Sequence, residues 1–305
     1  MNALKQSRYV YLLPCIAVVI WSVNLIVTKL AVDVIPAFSI SFYRWVLAFT
    51  ILTPFTALKV WRDRHIVIPY LPKLAVLGLF GMVMYQGLAY EAAHTTSATN
   101  LGVLNAMIPI FTVVIAIILL RERVSRWAIV GCVLSFVGIL ILIGKGNPLN
   151  VMTGNFHLGD VLMLVAVVCY AAYGVLTRLW QIKLDLWTNL YLQIGFGVIF
   201  HLPLMMYQGF TPITTDNLWM ILYAGTLASL VAPLVWIKAI QLIGPNRTSI
   251  FLNLMPILTA IIAVGFLHEE WHFYHTVGAV LTLLGVALAQ IKPKLISPSP
   301  QTLEE

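Results

Sequence analysis

The chain has 305 residues, of which 61% are hydrophobic and 10% are charged, and its formal net charge is +7. Soluble domains carry about 25% charged residues, so this composition excludes a soluble protein and predicts an all-α polytopic membrane protein. The basic residues stand singly between apolar runs and form no patch, which argues against a nucleic-acid partner.

Ten apolar runs follow one another along the chain, separated by short loops. Each is near the length of about 20 residues that a helix needs to cross a bilayer, so the lipid bilayer is the first expected partner. The predicted spans are 11–31, 38–58, 71–92, 97–119, 127–144, 158–178, 187–207, 217–239, 247–267 and 273–291. The polar, proline-rich stretch that follows predicts a disordered cytoplasmic tail at 293–305.

Lys and Arg residues predict how the spans are oriented, because the cytoplasmic loops of membrane proteins carry an excess of them. If the N-terminus is cytoplasmic, fifteen of the eighteen Lys and Arg residues fall at cytoplasmic ends of the spans. Only Lys29, Arg44 and Lys145 fall on the other side. The sequence therefore predicts that both termini are cytoplasmic.

The two halves of the chain are related in sequence. Five residues of the first half recur 147 positions later: Pro109, Thr112, Glu122, Gly131 and Gly138 correspond to Pro256, Thr259, Glu269, Gly278 and Gly285. Each half has five spans, an odd number, so the second half must enter the membrane from the opposite side. This predicts ten transmembrane helices in two inverted five-helix repeats, at 1–146 and 147–292. Secondary transporters use this design, with the substrate bound near the midplane and alternating access by exchange of the two halves.

The repeated prolines lie inside apolar helices. Each removes the hydrogen bond to the carbonyl four residues earlier, which frees the carbonyl of Asn105 for Pro109 and that of Leu252 for Pro256. We expect kinked helices that expose polar backbone to a cavity and flex during gating, with a static packing kink as the alternative. Asn105 and Asn253 place an amide in the same turn of each helix and are predicted to bind substrate.

Two spans present matched aromatic and polar faces. Trp21, Asn24 and Thr28 share one face of the first span, because they stand at i, i+3 and i+7. The sixth span has Tyr170, Tyr173 and Thr177 at the matched positions. We predict that these faces form opposite cavity walls, with an interhelical contact as the alternative. Five further aromatic or polar residues are predicted to line the same cavity: Tyr85, Gln86, Tyr90, Ser229 and Trp236.

Arg44 lies several residues inside the second span, where an unpaired cation would be expensive. Asp33 and Glu91 are the candidate partners, so a structural ion pair near the outer surface is the preferred interpretation. The alternative is contact with a substrate carboxylate, which Arg binds in a bidentate manner. Glu91 is either a solvated acid at the rim or a proton-coupling site. The aromatic residues suit small amphiphiles, either aromatic or apolar amino acids or flat organic cations.

Three stretches resemble the EamA-type transporters of the drug/metabolite transporter superfamily. They read WSVNLIVTK at 21–29, TSATNLGVLNAMIPIFTVVIAIILLRERVS at 96–125 and IGPNRTSIFLNLMPILTAIIAVGFLHEE at 243–270. The resemblance covers essentially the whole chain and implies a bacterial inner-membrane exporter of small metabolites or toxic organic compounds. It also implies that helices 1–4 and 6–9 line a central cavity. LHEEWH at 267–272 departs from the family, which more usually has Gly before the Glu and Ser or Thr after it.

Other functions stay open beside export. Nothing in the sequence excludes an importer or facilitator of the same fold, although the family resemblance favours export. The chain has no Walker A motif, so a proton or electrochemical gradient is the candidate energy source. HEEWH at 268–272 matches the zinc-protease pattern H-E-x-x-H, which makes an intramembrane protease a remote alternative. We expect no enzyme, because Glu269 aligns with Glu122, which has no His pair beside it.

No cofactor or metal is expected, since the three cysteines, Cys15, Cys132 and Cys169, lie inside apolar runs without a CxxC pair. Asp160, at the start of the sixth span, is interpreted as a helix cap. Small residues recur in the fifth and tenth spans, at Gly131, Ser135, Gly138, Gly278, Thr282 and Gly285. They predict close packing within the scaffold or a homodimer face, so monomer and homodimer both stay open.

Overall fold

The computed structural model describes residues 10–121, 126–152, 157–243, 248 and 250–289. Within these residues every regular element is helical, as the composition predicted. The apolar helices are α1 Leu12–Leu30, α2 Ala37–Arg62, α3 Arg64–Ala92, α4 Ala98–Leu120, α5 Arg126–Ile143, α6 Leu158–Trp180, α7 Leu186–Gln208, α8 Thr215–Ala239, α9 Met255–Leu267 and α10 Phe273–Ala289. The predicted tail at 293–305, Glu122 and the side chain of Asn253 lie outside what the structure describes.

Seven of these helices, α1–α4 and α6–α8, are long and apolar enough to cross a membrane. The apolar parts of the other three are shorter, at Ile129–Ile143, Met255–Leu267 and Phe273–Leu288. These lengths agree with a polytopic membrane protein. The arrangement as ten spans in two inverted repeats stays a prediction.

Local side-chain chemistry explains where several helices begin and end. Ser97 accepts a hydrogen bond from the Asn100 amide at the start of α4, and Asp185 accepts one from the Thr188 amide at the start of α7. Thr214 opens α8 with a capping box. At its C-terminus, α4 ends at Arg121 in the left-handed conformation, with φ of 53°.

The interhelical loops meet at two ends of the bundle. The Glu269 end comprises the connections 31–36, 93–97, 209–214 and 268–272 and the described part of 144–157, and hydrogen bonds join several of them to the ends of neighbouring helices. The Lys59 end comprises the described parts of the connections that follow α2, α4, α6 and α8. There an ion pair of 2.5 Å joins Lys59 Nζ to Asp185 Oδ1, linking α2 to the start of α7.

Four helices lose regular α-helical geometry, two in each half of the chain. α3 contains a π-helical segment at Leu79–Met84, and α8 contains one at Tyr223–Val231. α4 is interrupted between α4a (Ala98–Asn105) and α4b (Ile108–Leu120). α9 is preceded by a 3₁₀ segment at Ile250–Leu254. The irregular segments therefore occupy corresponding places in the two halves.

Pro109 and Pro256 occupy the second position of α4b and α9 respectively. Pro is tolerated in the first turn of a helix, where the missing N–H has no intrahelical partner. Before Pro109 the chain turns tightly, since the Met107 amide bonds to the Leu104 carbonyl at 3.0 Å. The predicted kink is thus a break in α4, and in both halves the proline starts a new helical segment.

Small residues let α5 and α10 pack directly against each other. A Cβ placed on Gly138 would lie 2.7 Å from Thr282 Oγ1 and 2.8 Å from the Gly278 carbonyl, so only glycine fits there. Ser135 Oγ donates to the Thr282 carbonyl at 2.9 Å. The predicted scaffold packing is therefore present, and these side chains face each other within one chain.

Large apolar side chains cover the outside of the bundle. Exposed examples on the helices are Phe55, Leu58, Ile118, Phe136, Ile199, Ile261 and Phe266. An aqueous surface would not carry so many, whereas the hydrocarbon core of a bilayer accepts them. The outer surface thus fits a chain embedded in lipid.

Candidate functional site

A central cavity of about 420 Å³ lies between the two halves. It draws residues from α1–α4 and α6–α8, together with the start of α9 and the segment before it, while α5 and α10 lie to the side. Its lining includes Trp21, Asn24, Leu25, Thr28, Arg44, Trp45, Gly81, Met82, Tyr85, Gln86, Asn105, Pro109, Tyr170, Tyr173, Leu190, Ala228, Ser229, Pro233, Trp236, Leu252 and Met255. The irregular segments of α3, α4 and α8 all face this cavity.

Most of the residues predicted from the sequence come together here. The cavity lining contains Trp21, Asn24, Thr28, Tyr85, Asn105, Pro109, Tyr170, Tyr173, Ser229 and Trp236. Tyr90 lies just behind the lining, buried against Arg44. Pro256 is buried next to Met255 and does not line the cavity. Thr177, predicted on the face of Tyr173, is exposed and donates to the Tyr173 carbonyl.

Sequence reasoning missed several lining residues, notably Trp45, Gly81, Met82 and Met255. Gly81 is needed for space, because a Cβ there would lie 2.8 Å from the Tyr173 ring. Trp45 packs under Arg44, with the guanidinium carbon 5.0 Å from the ring centroid. The position of Trp45 directly after Arg44 was the sequence feature that could have predicted it as a lining residue.

Aromatic rings from both halves contact each other around the cavity. Trp21 of α1 packs on Trp236 of α8 with ring centroids 5.4 Å apart. Tyr85 of α3 packs on Tyr170 of α6 at 4.5 Å. Trp21 Nε1 also donates to the Ala228 carbonyl at 3.2 Å, in the π-helical segment of α8. Each predicted face therefore packs against a helix of the other half, the α1 face on α8 and the α6 face on α3.

Arg44 is 2% exposed and is the charged residue of the cavity lining as the structure describes it. Its Nε and Nη2 both donate to Ser229 Oγ, at 3.1 and 2.8 Å. Its Nη1 donates to Gln86 Oε1 at 2.8 Å and to Tyr90 Oη at 3.4 Å. Arg44 thus ties α2 to α3 and to α8 through neutral oxygens.

The expected ion pair of Arg44 with Asp33 or Glu91 is not formed. The hydrogen bonds of Arg44 all go to neutral side chains, and neither carboxylate is among its partners in the described part of the chain. Asp33 is exposed in the connection after α1, and Glu91 is half-buried one residue before the end of α3. The preferred interpretation of Arg44 as an ion-paired brace was therefore wrong about its partners.

The helix breaks of the two halves meet beside the cavity. Asn105, the last residue of α4a, accepts a hydrogen bond from Tyr85 Oη at 2.8 Å. Its Nδ2 lies 3.7 Å from Met255 Sδ, at the start of α9. Ser22 Oγ donates to the Met255 carbonyl at 3.3 Å. The interrupted helices therefore touch through polar groups where the backbone is irregular.

A second, polar pocket of about 230 Å³ lies at the Glu269 end. Its lining includes Thr95, Ser97, Asn100, Lys145, His157, Asp160, Glu269, Glu270, His272, Tyr274 and His275. Asp160 does not cap α6 with its side chain as expected. Its Oδ1 instead accepts hydrogen bonds from Thr96 Oγ1 and Asn100 Nδ2.

Glu269 caps α4a from the other half of the chain. Its carboxylate accepts from the amides of Ala98 at 2.7 Å and Thr99 at 3.1 Å, and from Thr99 Oγ1 at 2.7 Å. A carboxylate at a helix N-terminus is favoured by the helix dipole. The Lys29 ammonium is held nearby by the carbonyls of Ala93 and Thr96, at 2.6 and 2.9 Å.

The H-E-x-x-H match does not form a zinc site in the described residues. The motif needs both His residues on one helical turn. Here His268 ends α9 with φ of 53°, and 268–272 form no helix. The Glu of the motif is the cap of α4a. Across the described residues no group of three His, Cys, Asp or Glu side chains is arranged to hold a metal ion.

Comparison with known proteins extends over nearly the whole chain. A model of the EamA-like transporter family matches residues 8–144 and again 157–290. An uncharacterized transporter of Archaeoglobus fulgidus is 28% identical over 288 residues, covering 92% of this chain and 97% of that protein. The S-adenosylmethionine uptake transporter of Rickettsia prowazekii is 24% identical over 267 residues, covering 86% of this chain and 85% of that protein.

One solved crystal structure has a similar fold. It superposes with a TM-score of 0.59 at 15% identity, and the match covers 92% of this chain and 96% of that one. At this identity the likeness concerns the fold alone.

Proposed function

Since this chain belongs to the EamA-like transporter family, we propose that it exports small amphiphilic carboxylates by alternating access. Aromatic and apolar amino acids are the substrates we consider first. The central cavity is the binding site in this proposal. The membrane is the bacterial inner membrane, with the Glu269 end outside and both termini in the cytoplasm, as the distribution of Lys and Arg favours.

The state of Arg44 is the observation that carries this proposal. A guanidinium that is 98% buried and bonded to neutral oxygens keeps its full charge uncompensated. Removing such a charge from water is unfavourable unless an anion offsets it. A substrate carboxylate would supply that anion. The same charge repels organic cations, the other substrate class that the sequence left open.

The aromatic lining supports the proposal that the substrate is amphiphilic. Trp21, Trp45, Tyr85, Tyr170, Tyr173 and Trp236 give the cavity large apolar surfaces. A volume of about 420 Å³ falls within the range of roughly 300–1,000 Å³ that is usual for small-molecule sites. A substrate with a carboxylate at one end and an aromatic or branched aliphatic group at the other fits both features.

Binding would change the contact between the two halves. Ser229 occupies the Nε and Nη2 edge of Arg44, which is the edge that a carboxylate engages with two parallel hydrogen bonds. A substrate carboxylate would therefore displace Ser229 and release α8 from α2. Ser229 Oγ also donates to the Ala224 carbonyl at 2.7 Å, so it keeps this hydrogen bond after a carboxylate has taken its place at Arg44. The substrate thereby loosens a link that spans the two repeats.

The duplicated architecture supports alternating access. The family model matches two successive stretches, which is expected of a chain built from two related halves. The irregular segments at matched positions allow each half to bend near the cavity. Exchange of the two conformations would open the cavity first to one side and then to the other.

Uptake is the second candidate function. One relative is named an S-adenosylmethionine uptake transporter. The cavity itself fits transport in either direction. A metabolite comparison of the medium from overexpressing and deletion strains would separate them, since export enriches the medium of the overexpressing strain.

The substrate class is tested with purified protein in proteoliposomes. Radiolabelled L-phenylalanine should be transported, whereas its amide, which lacks the carboxylate, should not. Arg44→Gln should abolish phenylalanine transport, and Arg44→Lys should restore little, because Lys cannot make the bidentate contact. Transport restricted to sugars, inorganic ions or organic cations would overturn the proposal.

A further inference from the structure

We propose that Asp160 and Asn100 form a proton-binding site at the Glu269 end, through which transport is coupled to the proton gradient. This site is separate from the central cavity. The inference rests on the transport function proposed above, but the binding of the proton can be measured without any substrate.

The hydrogen bonding of Asp160 is incomplete in a way that a proton would correct. Asp160 is 0% exposed, and only its Oδ1 is engaged, by Thr96 Oγ1 and by Asn100 Nδ2 at 3.1 Å. Its Oδ2 and the Oδ1 of Asn100 are buried without a partner among the described residues. Two acceptors therefore lack donors, and each such group is costly to bury. A proton on Asp160 would turn one acceptor into a donor.

The surroundings leave Asp160 as the buried acid of this pocket. The residues from α4 and the turn before it are neutral: Thr95, Thr96, Ser97 and Asn100. The α5–α6 connection contributes Lys145 and His157, and α10 contributes Tyr274 and His275. The α9–α10 connection contributes Glu269, Glu270 and His272. Glu269 is already bonded to the start of α4a. Glu270 is exposed and lies 3.4 Å from His272 Nε2. The carboxylate still lacking donors is that of Asp160.

The pocket also offers protons a route from the surface. His157 is exposed at the start of α6, and His275 is 6% exposed on α10. The His272 amide donates to His275 Nδ1 at 3.1 Å, so the neutral ring carries its proton on Nε2. An imidazole can take up a proton on one ring nitrogen and release one from the other. A volume of about 230 Å³ also holds several water molecules of about 30 Å³ each.

One short helix connects this site to the cavity. Asn100 belongs to α4a, which reaches the cavity at Asn105, a rise of about 7.5 Å along the helix. The charged form of Asp160 accepts charge-assisted bonds from Thr96, in the turn before α4a, and from Asn100 within it. Protonation weakens these two bonds and supplies a donor for the unpaired oxygen of Asn100. Proton binding would therefore change how α4a is held, and the far end of α4a contacts Tyr85 and Met255.

The proton site is tested first by infrared difference spectroscopy on the purified full chain without substrate. Wild type should show the carbonyl stretch of a protonated carboxyl group, growing as the pH is lowered, and Asp160→Asn should lose that band. Glu270→Gln, which changes an exposed acid of the same pocket, should keep it. A spectrum unchanged by Asp160→Asn would overturn the proposal.

Asn100→Ala provides a second test in case Asp160→Asn does not fold. It removes one donor to Asp160 and should shift the titration midpoint of the same band. If Asp160→Asn cannot be purified, an unshifted midpoint in Asn100→Ala rejects the site by itself.

Coupling is tested in proteoliposomes with labelled L-phenylalanine. Asp160→Asn should retain exchange of internal for external phenylalanine but lose accumulation driven by a pH gradient, down to the level of protein-free vesicles. Accumulation that survives in Asp160→Asn, or that follows a sodium gradient instead, contradicts the proposal. If wild type moves no phenylalanine, the function proposed above fails, and the infrared titration still decides the proton site.

Discussion

Replacing Ser229 with Ala tests whether the Arg44–Ser229 contact competes with substrate. Ser229 Oγ accepts from both Nε and Nη2 of Arg44, so the change leaves one edge of a buried guanidinium without its partner. A hydrogen bond to a charged group contributes about 1.5–3 kcal/mol, and we count the pair as one because both end on a single oxygen. A carboxylate that no longer displaces Ser229 should bind more tightly by that amount, roughly 10- to 150-fold in Kd.

The assay is equilibrium binding of L-phenylalanine to purified protein, paired with thermal unfolding without substrate. Ser229→Ala should lower the Kd and also the thermal stability of the empty protein, because the free guanidinium is then poorly satisfied. Ser22→Ala is the matched control. Ser22 is equally buried and bonds to the Met255 carbonyl, but it does not touch Arg44. An unchanged or higher Kd in Ser229→Ala would refute the exchange of partners at Arg44.

Glu269→Gln should lower the thermal stability by about 1 kcal/mol, a usual loss for a helix cap, because one amide oxygen cannot serve three donors; a melting temperature equal to wild type would contradict this. Burial raises the pKa of Asp185, but hydrogen bonds from Lys59 and Thr188 outweigh it and hold the pKa below its usual range. The ionised pair is therefore stabilising above about pH 4 and is lost as the pH falls further, so the difference in melting temperature between wild type and Asp185→Asn should narrow in acid. The double variant His268→Ala, His272→Ala should transport normally and metal analysis should find no stoichiometric zinc, whereas zinc-dependent activity would restore the protease interpretation.

Periodicity was enough to find much of the cavity. Trp21, Asn24 and Thr28 share a face at helical spacing, and any polar face inside a membrane helix must turn to the bundle interior. The match between halves then located Tyr170 and Tyr173. Local rules of this kind work because they depend on residues within two turns of one helix.

The partners of buried charges could not be found in this way. The oxygens around Arg44 belong to Gln86, Tyr90 and Ser229, between 42 and 185 residues away in sequence. Asp160 has its partners about 60 residues earlier, in α4 and the turn before it. Position in the first turn of α6 suggested a cap, but the side chain turns towards another helix. Such pairings depend on how helices pack, and the π-helical segments that place Ser229 have no clear sequence signature.

The two helix breaks allow the alternating-access proposal to be tested half by half. Irregular backbone within a membrane is tolerated where it is buried in protein or lines a cavity, and here it occurs at matched positions around one cavity. If the halves exchange conformations, Pro109→Ala should stiffen α4 and Pro256→Ala should stiffen α9, so that each slows a different half of the cycle. Both variants should insert normally. Stopped-flow tryptophan fluorescence on adding and then diluting substrate would resolve the two steps, since Trp21 and Trp236 line the cavity. Equal slowing of the same step by both variants would show that the breaks do not exchange roles, and normal kinetics in both would make them details of packing.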